Sequence, residues 1–440
     1  MLGKRTLKKK TLKKLIAAGV VALVMPLGAP VAQAADVPAA SRQLDWLVDA
    51  SGRVPVPDNE ITGHLTAELL AAVGGPAGLN AALTQIGRLT VNEILEAQPD
   101  HVVAAVSGTS DDYLLEIHSD QAGLIDGLRV GPNDPLPTSW GQVDAQLSAL
   151  GARVSFAASE IGPDGRCRTV HGVNGDVQRP LGSAFKLYVL GALGKAVAEH
   201  RASWTENLAI RDDWKSLRSG VLQDEPAGTE LPLAEYADKM ISLSDNTATD
   251  HLIHRLGRDA VQRQLFAFGN QRPEANIPFL TTKAMFELKA TQYPARADAY
   301  LALPRQLRPA AVAGLERLPL TGLTGWQQPE KIDQIEWFGS PSDICRAFSG
   351  LSKENQPEID HALSISDAGL GLDKARFPAV WYKGGSEPGV LTMNYLARTA
   401  DGRTLTTSVM VSDPAHALDE NHVVARILAL TKGTFPLLAG

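Results

Sequence analysis

The sequence predicts an α+β protein with a small amino-terminal unit and a larger carboxy-terminal domain. Helical periodicity followed by short strand-like runs between residues 58 and 130 indicates the first unit. Turn signals at residues 162–165 and 401–402 lie near the two ends of residues 140–440, and helical periodicity fills the region between them. We therefore expect the second domain to hold an antiparallel sheet drawn from both of its ends and flanked by helices.

The composition is that of an ordinary globular protein, and 440 residues suffice for two or three domains. A net charge of -7 with a pI near 5.8 argues against a nucleic-acid-binding protein. Cys167 and Cys345 either form one bridge in an oxidising compartment or remain free buried thiols, and their spacing does not decide between the two. His251 and His254 lie three residues apart on a predicted helix, where packing or surface roles are favoured over metal ligation. We expect no metal and no cofactor.

The amino terminus is typical of an export signal. A cluster of lysines and one arginine precedes an uncharged apolar run over residues 15–30, and Ala32-Gln33-Ala34 offers the small residues that a signal peptidase accepts. We expect residues 1–34 to be a cleaved signal peptide, because the apolar run is too short and too interrupted by proline for a lasting membrane anchor. The mature chain would then be secreted or held in the cell envelope without a membrane span.

Residues 35–57 are expected to form a linker, because alanine, proline and polar residues dominate their first part. From residue 58 onward, Ile61, Leu65, Leu69 and Leu70 share one helical face, and a second short helix follows over residues 77–86. Three strands are then predicted over residues 101–106, 113–117 and 124–130.

Residues 131–139 are rich in proline and glycine and are expected to form a second linker. The larger domain, residues 140–440, begins with a helix over residues 142–150 and a hairpin on either side of residues 162–165. It ends with strands over residues 390–398 and 404–411 and a helix over residues 418–430.

The first candidate catalytic pair is Ser183 and Lys186. In a helix that begins at the serine, the lysine amine can reach the serine hydroxyl because positions i and i+3 share a face. A serine needs a base to become a nucleophile, and burial against the apolar run at residues 187–193 can lower the pKa of a lysine enough for that task. This pair alone is a chance-level motif.

Two further polar groups follow in order. Ser244-Asp245-Asn246 lies at the junction of two predicted helices, where Ser244 or Asp245 could equally serve only as a helix cap. Lys383-Gly384-Gly385-Ser386 precedes the terminal hairpin, and its glycines leave a backbone edge to which an acyl substrate could dock. A surface lysine beside a flexible turn is the alternative.

The ordered set S-x-x-K, S-D-N and K-G-G resembles that of the class A β-lactamases and the penicillin-binding serine hydrolases, from about residue 142 to the end. The resemblance implies a β-lactamase/transpeptidase-like domain in which Ser183 is acylated and Lys186 is its base. Ser244 would relay a proton, Asn246 would position Lys186 and the substrate, and Lys383 would attract a substrate carboxylate. Gly385 and Ser386 would border the substrate, and the backbone N–H groups of Ser183 and Ser386 would form the oxyanion hole.

Two departures from this pattern limit the expected activity. The interval before Thr281-Thr282, which resembles the segment beyond the family's omega loop, is too short for a full loop, and Glu274 is a poor match for the deacylating glutamate. Gly384 stands where the family usually has threonine or serine. Residues 289–334 form an apparent insertion, which we interpret as a substrate-side lobe or lid.

The order of elements in residues 58–130 resembles the cone-shaped fold of nuclear transport factor 2, and we expect a structural or partner-binding role there. Together with the short omega loop, this arrangement is similar to the esterase-like serine hydrolases of clavulanic acid biosynthesis clusters and their exported actinobacterial relatives. The resemblance implies an exported hydrolase that forms an acyl-Ser183 intermediate on a small ester or β-lactam. The alternatives are a slow-turnover binder of β-lactams or peptidoglycan peptides and a D-alanyl-D-alanine carboxypeptidase. Oligomeric state is left open.

Overall fold

The structure is a computed structural model that describes residues 37–440 except 110–111, 152, 218 and 321–324. The predicted signal peptide lies outside the described residues. Within the part of the chain that is described, no helix combines the length and apolarity needed to cross a membrane.

The amino-terminal unit begins earlier than predicted, because the first helix lies inside the expected linker 35–57. Ala40, Leu44, Leu47 and Ala50 recur at helical spacing and are buried, which makes this segment part of the core rather than a linker. The helix predicted from residue 58 is split by a turn into two. The helices are α1 Ala39–Ser51, α2 Asp58–Ile61, α3 Ala67–Ala72 and α4 Gly75–Ile86.

Four antiparallel strands, in the order β1-β2-β3-β4, complete this unit. Three of them were predicted, and the additional strand β1 was missed because its side chains are almost all exposed and show no apolar alternation. The inward face of the sheet packs against α1 through residues such as Val102, Leu115 and Ile117. The strands are β1 Thr90–Ala97, β2 His101–Ser107, β3 Asp112–Ser119 and β4 Ile125–Pro132. The last of these runs into the predicted linker 131–139.

The larger domain contains the predicted sheet drawn from both of its ends, in the order β11-β12-β13-β5-β6. Two strands come from the start of the domain and three from its end, so that β13 pairs antiparallel with β5. Two short pairs, β7 with β10 and β8 with β9, lie outside this sheet. The strands are β5 Arg153–Ile161, β6 Cys167–Val173, β7 Arg179–Pro180, β8 Asn207–Ala209, β9 Glu230–Pro232, β10 Phe338–Gly339, β11 Ala379–Glu387, β12 Val390–Arg398 and β13 Thr404–Ser412.

Helices cover both faces of this sheet. On one face α5 and α15 enclose a core with the strands, and on the other α6 is almost wholly buried beneath its neighbours α8, α9 and α13. The helices are α5 Trp140–Ala149, α6 Lys186–Ala198, α7 Leu233–Ser242, α8 Asn246–Leu256, α9 Arg258–Ala267, α10 Thr282–Ala290, α11 Ala295–Ala302, α12 Arg308–Leu315, α13 Pro341–Glu354, α14 Pro357–Ser364 and α15 Glu420–Ala439.

A disulfide bond joins Cys167 on β6 to Cys345 on α13. It resolves the choice left open by the sequence, because sequence spacing could not show that these two elements pack together. The bond ties the outermost strand of the sheet to a helix that also contacts α6.

The last helix, α15, also contacts the amino-terminal unit. It packs against β4, and Arg426 Nε lies 3.2 Å from Asp134 Oδ2. The same helix borders the large cleft described below through Glu420 and Val424.

Candidate active site

A cleft of about 480 Å³ opens where the start of α6, the junction of α7 and α8, strand β11 and the first turn of α15 meet. Six predicted site residues line it: Ser183, Ser244, Asn246, Lys383, Gly385 and Ser386. Lys186 lies directly behind, bonded to Ser244 and Asn246. The structure therefore brings all of the predicted site residues together.

Ser183 lies in a 3₁₀ turn, Gly182–Phe185, immediately before α6, so the helix begins at Lys186 rather than at the serine. Two glycines allow β11 to run alongside this turn. Gly182 has φ of 49°, and a Cβ at this position would lie 2.8 Å from the backbone nitrogen of Ser386. A Cβ on Gly385 would lie 2.4 Å from the backbone nitrogen of Ser183. The close approach places both backbone amides at one edge of the cleft, as an oxyanion hole requires.

Lys186 is fully buried, and its amine is held by the S-D-N loop. Nζ donates hydrogen bonds to the Ser244 carbonyl, to Ser244 Oγ at 3.1 Å and to Asn246 Oδ1 at 2.8 Å. All three acceptors belong to the S-D-N loop, and the predicted partner, the Ser183 hydroxyl, is not among them. Burial, with the nearby Lys383 adding to it, holds the pKa of Lys186 well below its usual value.

The three residues of the S-D-N loop have different contacts. Asp245 caps helix α8, as the alternative role for this loop predicted: one side-chain oxygen accepts from the backbone N–H of Ala248. Its other oxygen accepts from the backbone N–H groups of Val221 and Leu222. Ser244 has φ of 56°, a conformation uncommon for a residue other than glycine. Both its carbonyl and its hydroxyl contact Lys186, so the cap fixes a loop whose flanking residues serve the cleft.

Lys383 on β11 completes a chain of polar groups across the cleft. Its Nζ donates to Ser244 Oγ at 3.0 Å and to the Gly384 carbonyl at 2.8 Å. Ser244 Oγ therefore lies between two lysine amines, 3.1 Å from one and 3.0 Å from the other. Burial lowers the pKa of Lys383 to about 7. A hydroxyl that bridges two amines with lowered pKa values is suited to proton relay.

The glycine at position 384 has a steric cause. A Cβ there would lie 2.1 Å from the hydroxyl oxygen of Tyr382, which borders the same cleft. Tyr382 thus occupies the space that a threonine or serine side chain would need. Tyr382 lies two residues earlier on the same face of the strand, so a motif that specifies position 384 alone does not show the conflict.

Glu274 does not reach the cleft: it is exposed, in a 3₁₀ turn. Acids of the described residues that do border the cleft are Glu336, Glu387 and Glu420. Glu387 is neutralised by the buried Lys289, whose Nζ lies 2.6 and 2.7 Å from its two oxygens.

Glu336 is held beside this buried pair. One of its oxygens accepts from the backbone of Trp337, and burial together with the charge of Glu387 raises the pKa of Glu336 well above its usual value. A carboxyl whose pKa is raised in this way is ionised less readily than an ordinary glutamate, which weakens it as a general base. Sequence reasoning could not find the cluster of Lys289, Glu336 and Glu387, because its members come from three distant segments and form no local motif.

Within its described residues, the insertion over residues 289–334 touches the cleft at one point. Gly325 and Trp326 border it, while Tyr300 packs into the core. Of the two histidines considered as ligands, His251 is a packing residue: its Nδ1 donates to the Thr247 carbonyl and its Nε2 accepts from the Arg211 backbone. His254 stacks on Trp214.

A serine beside a helix start, a buried amine of lowered pKa and a bridging hydroxyl form the arrangement of a nucleophilic-serine site. Comparison with known families agrees with this class. Residues 142–308 match the model described as the β-lactamase enzyme family. The match covers less than half of the chain and supports a β-lactamase-like α+β domain for this part of it. Among curated proteins, no sequence matches the chain.

Solved structures with a similar fold include β-lactamases from two bacteria. The enzyme from Sphaerobacter thermophilus is 21% identical, with a TM-score of 0.48 over 68% of this chain and 97% of that one. The enzyme from Chitinophaga pinensis is 17% identical, with a TM-score of 0.45 over 68% of this chain and 99% of that one. The protein PBP-A is also 17% identical, with a TM-score of 0.45 over 70% and 98% of the two chains.

Proposed function

We propose that this chain is a serine hydrolase of the β-lactamase-like superfamily that acts through an acyl-Ser183 intermediate and has esterase activity, weak β-lactamase activity or both. The observation that carries the proposal is the position of Lys186, fully buried and bonded to Ser244 and Asn246 in a cleft that Ser183 borders. An amine in this environment favours its neutral form and can accept a proton.

The proposed acylation requires the Lys186 amine, which contacts the S-D-N loop in this structure, to turn towards Ser183 Oγ. Ser183 Oγ attacks the substrate carbonyl carbon and gives up its proton to Lys186, while the backbone amides of Ser183 and Ser386 stabilise the oxyanion. As the bond to the leaving group breaks, the Ser244 hydroxyl donates its proton to the departing atom and takes the proton held by Lys186. Lys383, while protonated, attracts a carboxylate on the substrate.

Release of the acyl group is the slower half of the proposed cycle. Glu274 is outside the cleft, and burial together with the charge of Glu387 raises the pKa of Glu336, which weakens it as a base for the hydrolytic water. This favours esters over β-lactams as productive substrates, in line with the resemblance to the esterase-like hydrolases of clavulanic acid clusters. The same observation favours a second candidate, a protein that binds β-lactams or peptidoglycan peptides with slow turnover. A D-alanyl-D-alanine carboxypeptidase is a further alternative with the same nucleophile.

We also propose that the protein is exported and that the amino-terminal unit has a cone-like, partner-binding or structural role. The disulfide bond between Cys167 and Cys345 supports an oxidising compartment. The four-stranded meander covered by α1 supports a separate fold for residues 39–132.

Turnover of a panel of nitrophenyl esters, penicillins and cephalosporins tests the proposal. We expect ester cleavage to exceed β-lactam cleavage in the natural chain and both to disappear in Ser183→Ala. Ser148→Ala, at an exposed serine on α5, is the matched control and should retain full activity. Equal cleavage by Ser183→Ala and the control would refute the proposed function.

A further inference from the structure

The outer face of the amino-terminal sheet carries a cluster of three potential metal ligands, none of which lines the hydrolase cleft. His101 on β2 and His118 on β3 occupy directly opposed positions, and their rings stack with centroids 4.2 Å apart. Glu116, two residues before His118, lies on the same face of the sheet. One ligand atom from each of these three side chains lies within 4.8 Å of the other two.

Each ring nitrogen of His101 has a carboxylate within ion-pair distance. His101 Nε2 lies 3.1 Å from Glu116 Oε1, while His101 Nδ1 lies 3.7 Å from Glu96 Oε1 on β1. A metal-binding histidine commonly donates its other ring N–H to a carboxylate, which fixes the ring and its tautomer. Glu96 is the nearest acid for this supporting role, although at 3.7 Å its oxygen lies beyond hydrogen-bond distance and accepts from Gln98 Nε2 instead.

The surroundings leave one side of the cluster open. Arg129 Nη1 approaches Glu116 through Oε2, at 3.8 Å, and so leaves Oε1 for another partner. Opposite His118 on β4 is Gly127, where a Cβ would come within 3.0 Å of the His118 Cβ. The glycine keeps space beside the ring that a side chain would take.

We propose that His101, Glu116 and His118 bind one divalent transition-metal ion, with Zn²⁺ as the ion that the ligand set fits, and that Glu96 positions His101. Two imidazoles and one carboxylate are a common zinc ligand set, and three protein ligands leave a coordination position for solvent. Ca²⁺ and Mg²⁺ prefer sites made mainly of oxygen atoms and do not suit this one. The proposal is independent of the hydrolase function.

A purely structural role would use the same side chains differently. The stacked rings and the His–Glu contacts could stabilise the sheet without any ion, as cross-strand pairs do. In that case, substitution would lower the stability of the chain whether or not metal is present. A metal site instead predicts that stabilisation by added Zn²⁺ depends on these residues.

The test is a calorimetric titration of Zn²⁺ into the purified chain, prepared without an affinity tag, followed by thermal unfolding with and without Zn²⁺. We expect one ion per chain, and a dissociation constant raised at least tenfold by His118→Ala or Glu116→Gln and about tenfold by Glu96→Gln. His416→Ala is the matched control, because His416 forms an exposed pair with Asp413 elsewhere on the molecule. It should leave the affinity unchanged.

Zn²⁺ should raise the unfolding temperature of the natural chain and of His416→Ala but not that of His118→Ala. If His118→Ala unfolds too readily to titrate, His118→Gln keeps a polar side chain on the strand and serves in its place. Absence of binding by the natural chain, or equal affinity in the natural chain and a folded His118 variant, would overturn the proposal.

Discussion

Lys186 is the residue on which the proposed acylation depends. Because its amine must accept a proton, Lys186→Arg removes the base: a guanidinium stays protonated, and we expect the acylation rate to fall by about 10²–10⁴-fold. The measurement is the rate of covalent labelling by a fluorescent penicillin. Lys195→Arg, on the same helix but with 54% of its side chain exposed, is the control and should label at the natural rate. Equal rates in the two variants would show that Lys186 is not the base.

Lys383 gives the binding of anionic substrates a pH dependence with a definite sign. Its pKa of about 7 means that the amine is charged below that pH and neutral above it. We therefore expect KM for a substrate that carries a carboxylate to rise as the pH increases through about 7, while KM for a neutral nitrophenyl ester changes little. Steady-state kinetics between about pH 5 and 9, roughly two units either side of the pKa, measures both. A KM that rises equally for the two substrates would exclude this role.

Gly384 and Tyr382 should be energetically coupled. Gly384→Thr introduces a Cβ at 2.1 Å from the Tyr382 hydroxyl oxygen, and crowding of this kind costs about 1–3 kcal/mol. We expect Gly384→Thr to cost less free energy of unfolding in a Tyr382→Ala background than in the natural chain. Urea denaturation of the two single variants and the double variant gives the coupling energy, and strictly additive effects would contradict it.

Among the elements, β6 and α13 are joined by the one disulfide bond of the chain. Removing it by the paired change Cys167→Ser and Cys345→Ser should lower the free energy of unfolding by about 2–5 kcal/mol, because the unfolded chain gains freedom. Acylation of Ser183 under native conditions should be unaffected, since neither cysteine borders the cleft. Urea unfolding of this double variant and of the natural chain checks the first point, and penicillin labelling checks the second. Unchanged stability would contradict a bonded pair in solution.

Helix α15 links the two parts of the molecule, because it packs on β4 and also borders the cleft. Deleting residues 36–130 removes most of that support without removing any residue that lines the cleft. We expect the shortened chain to unfold at a lower temperature and to retain ester cleavage within an order of magnitude. Loss of ester cleavage by a shortened chain with native circular dichroism would assign the amino-terminal unit a direct part in activity.

Across the whole molecule, the features that could be predicted from the sequence are those that a short stretch of residues encodes. The terminal hairpin followed from Asp401–Gly402 between two alternating runs, and β12 and β13 lie where it placed them. The site residues were identifiable because three short motifs occur in a fixed order along the chain. The structure places all of them at one cleft, whereas their catalytic roles remain a prediction.

The features that were missed depend on contacts between distant segments or lack a periodic signal. The buried cluster of Lys289, Glu336 and Glu387 and the bond between Cys167 and Cys345 each join residues far apart in sequence. The side chains of strand β1 are almost all exposed, so its sequence shows no apolar alternation. Helix α1 was interpreted as a linker because alanine and proline residues dominate the sequence around its start. Local pattern alone cannot report which surfaces will be covered by tertiary packing.

Covalent capture of Ser183 tests the proposed function most directly. The purified chain is incubated with a penicillin, its intact mass is measured over time, and the labelled peptide is mapped. We predict that the mass increases by one penicillin, that the label lies on Ser183, and that it is lost slowly because Glu274 lies outside the cleft and Glu387 is paired with Lys289. An unmodified mass after long incubation, together with undiminished ester cleavage by Ser183→Ala, would contradict an acyl-Ser183 mechanism.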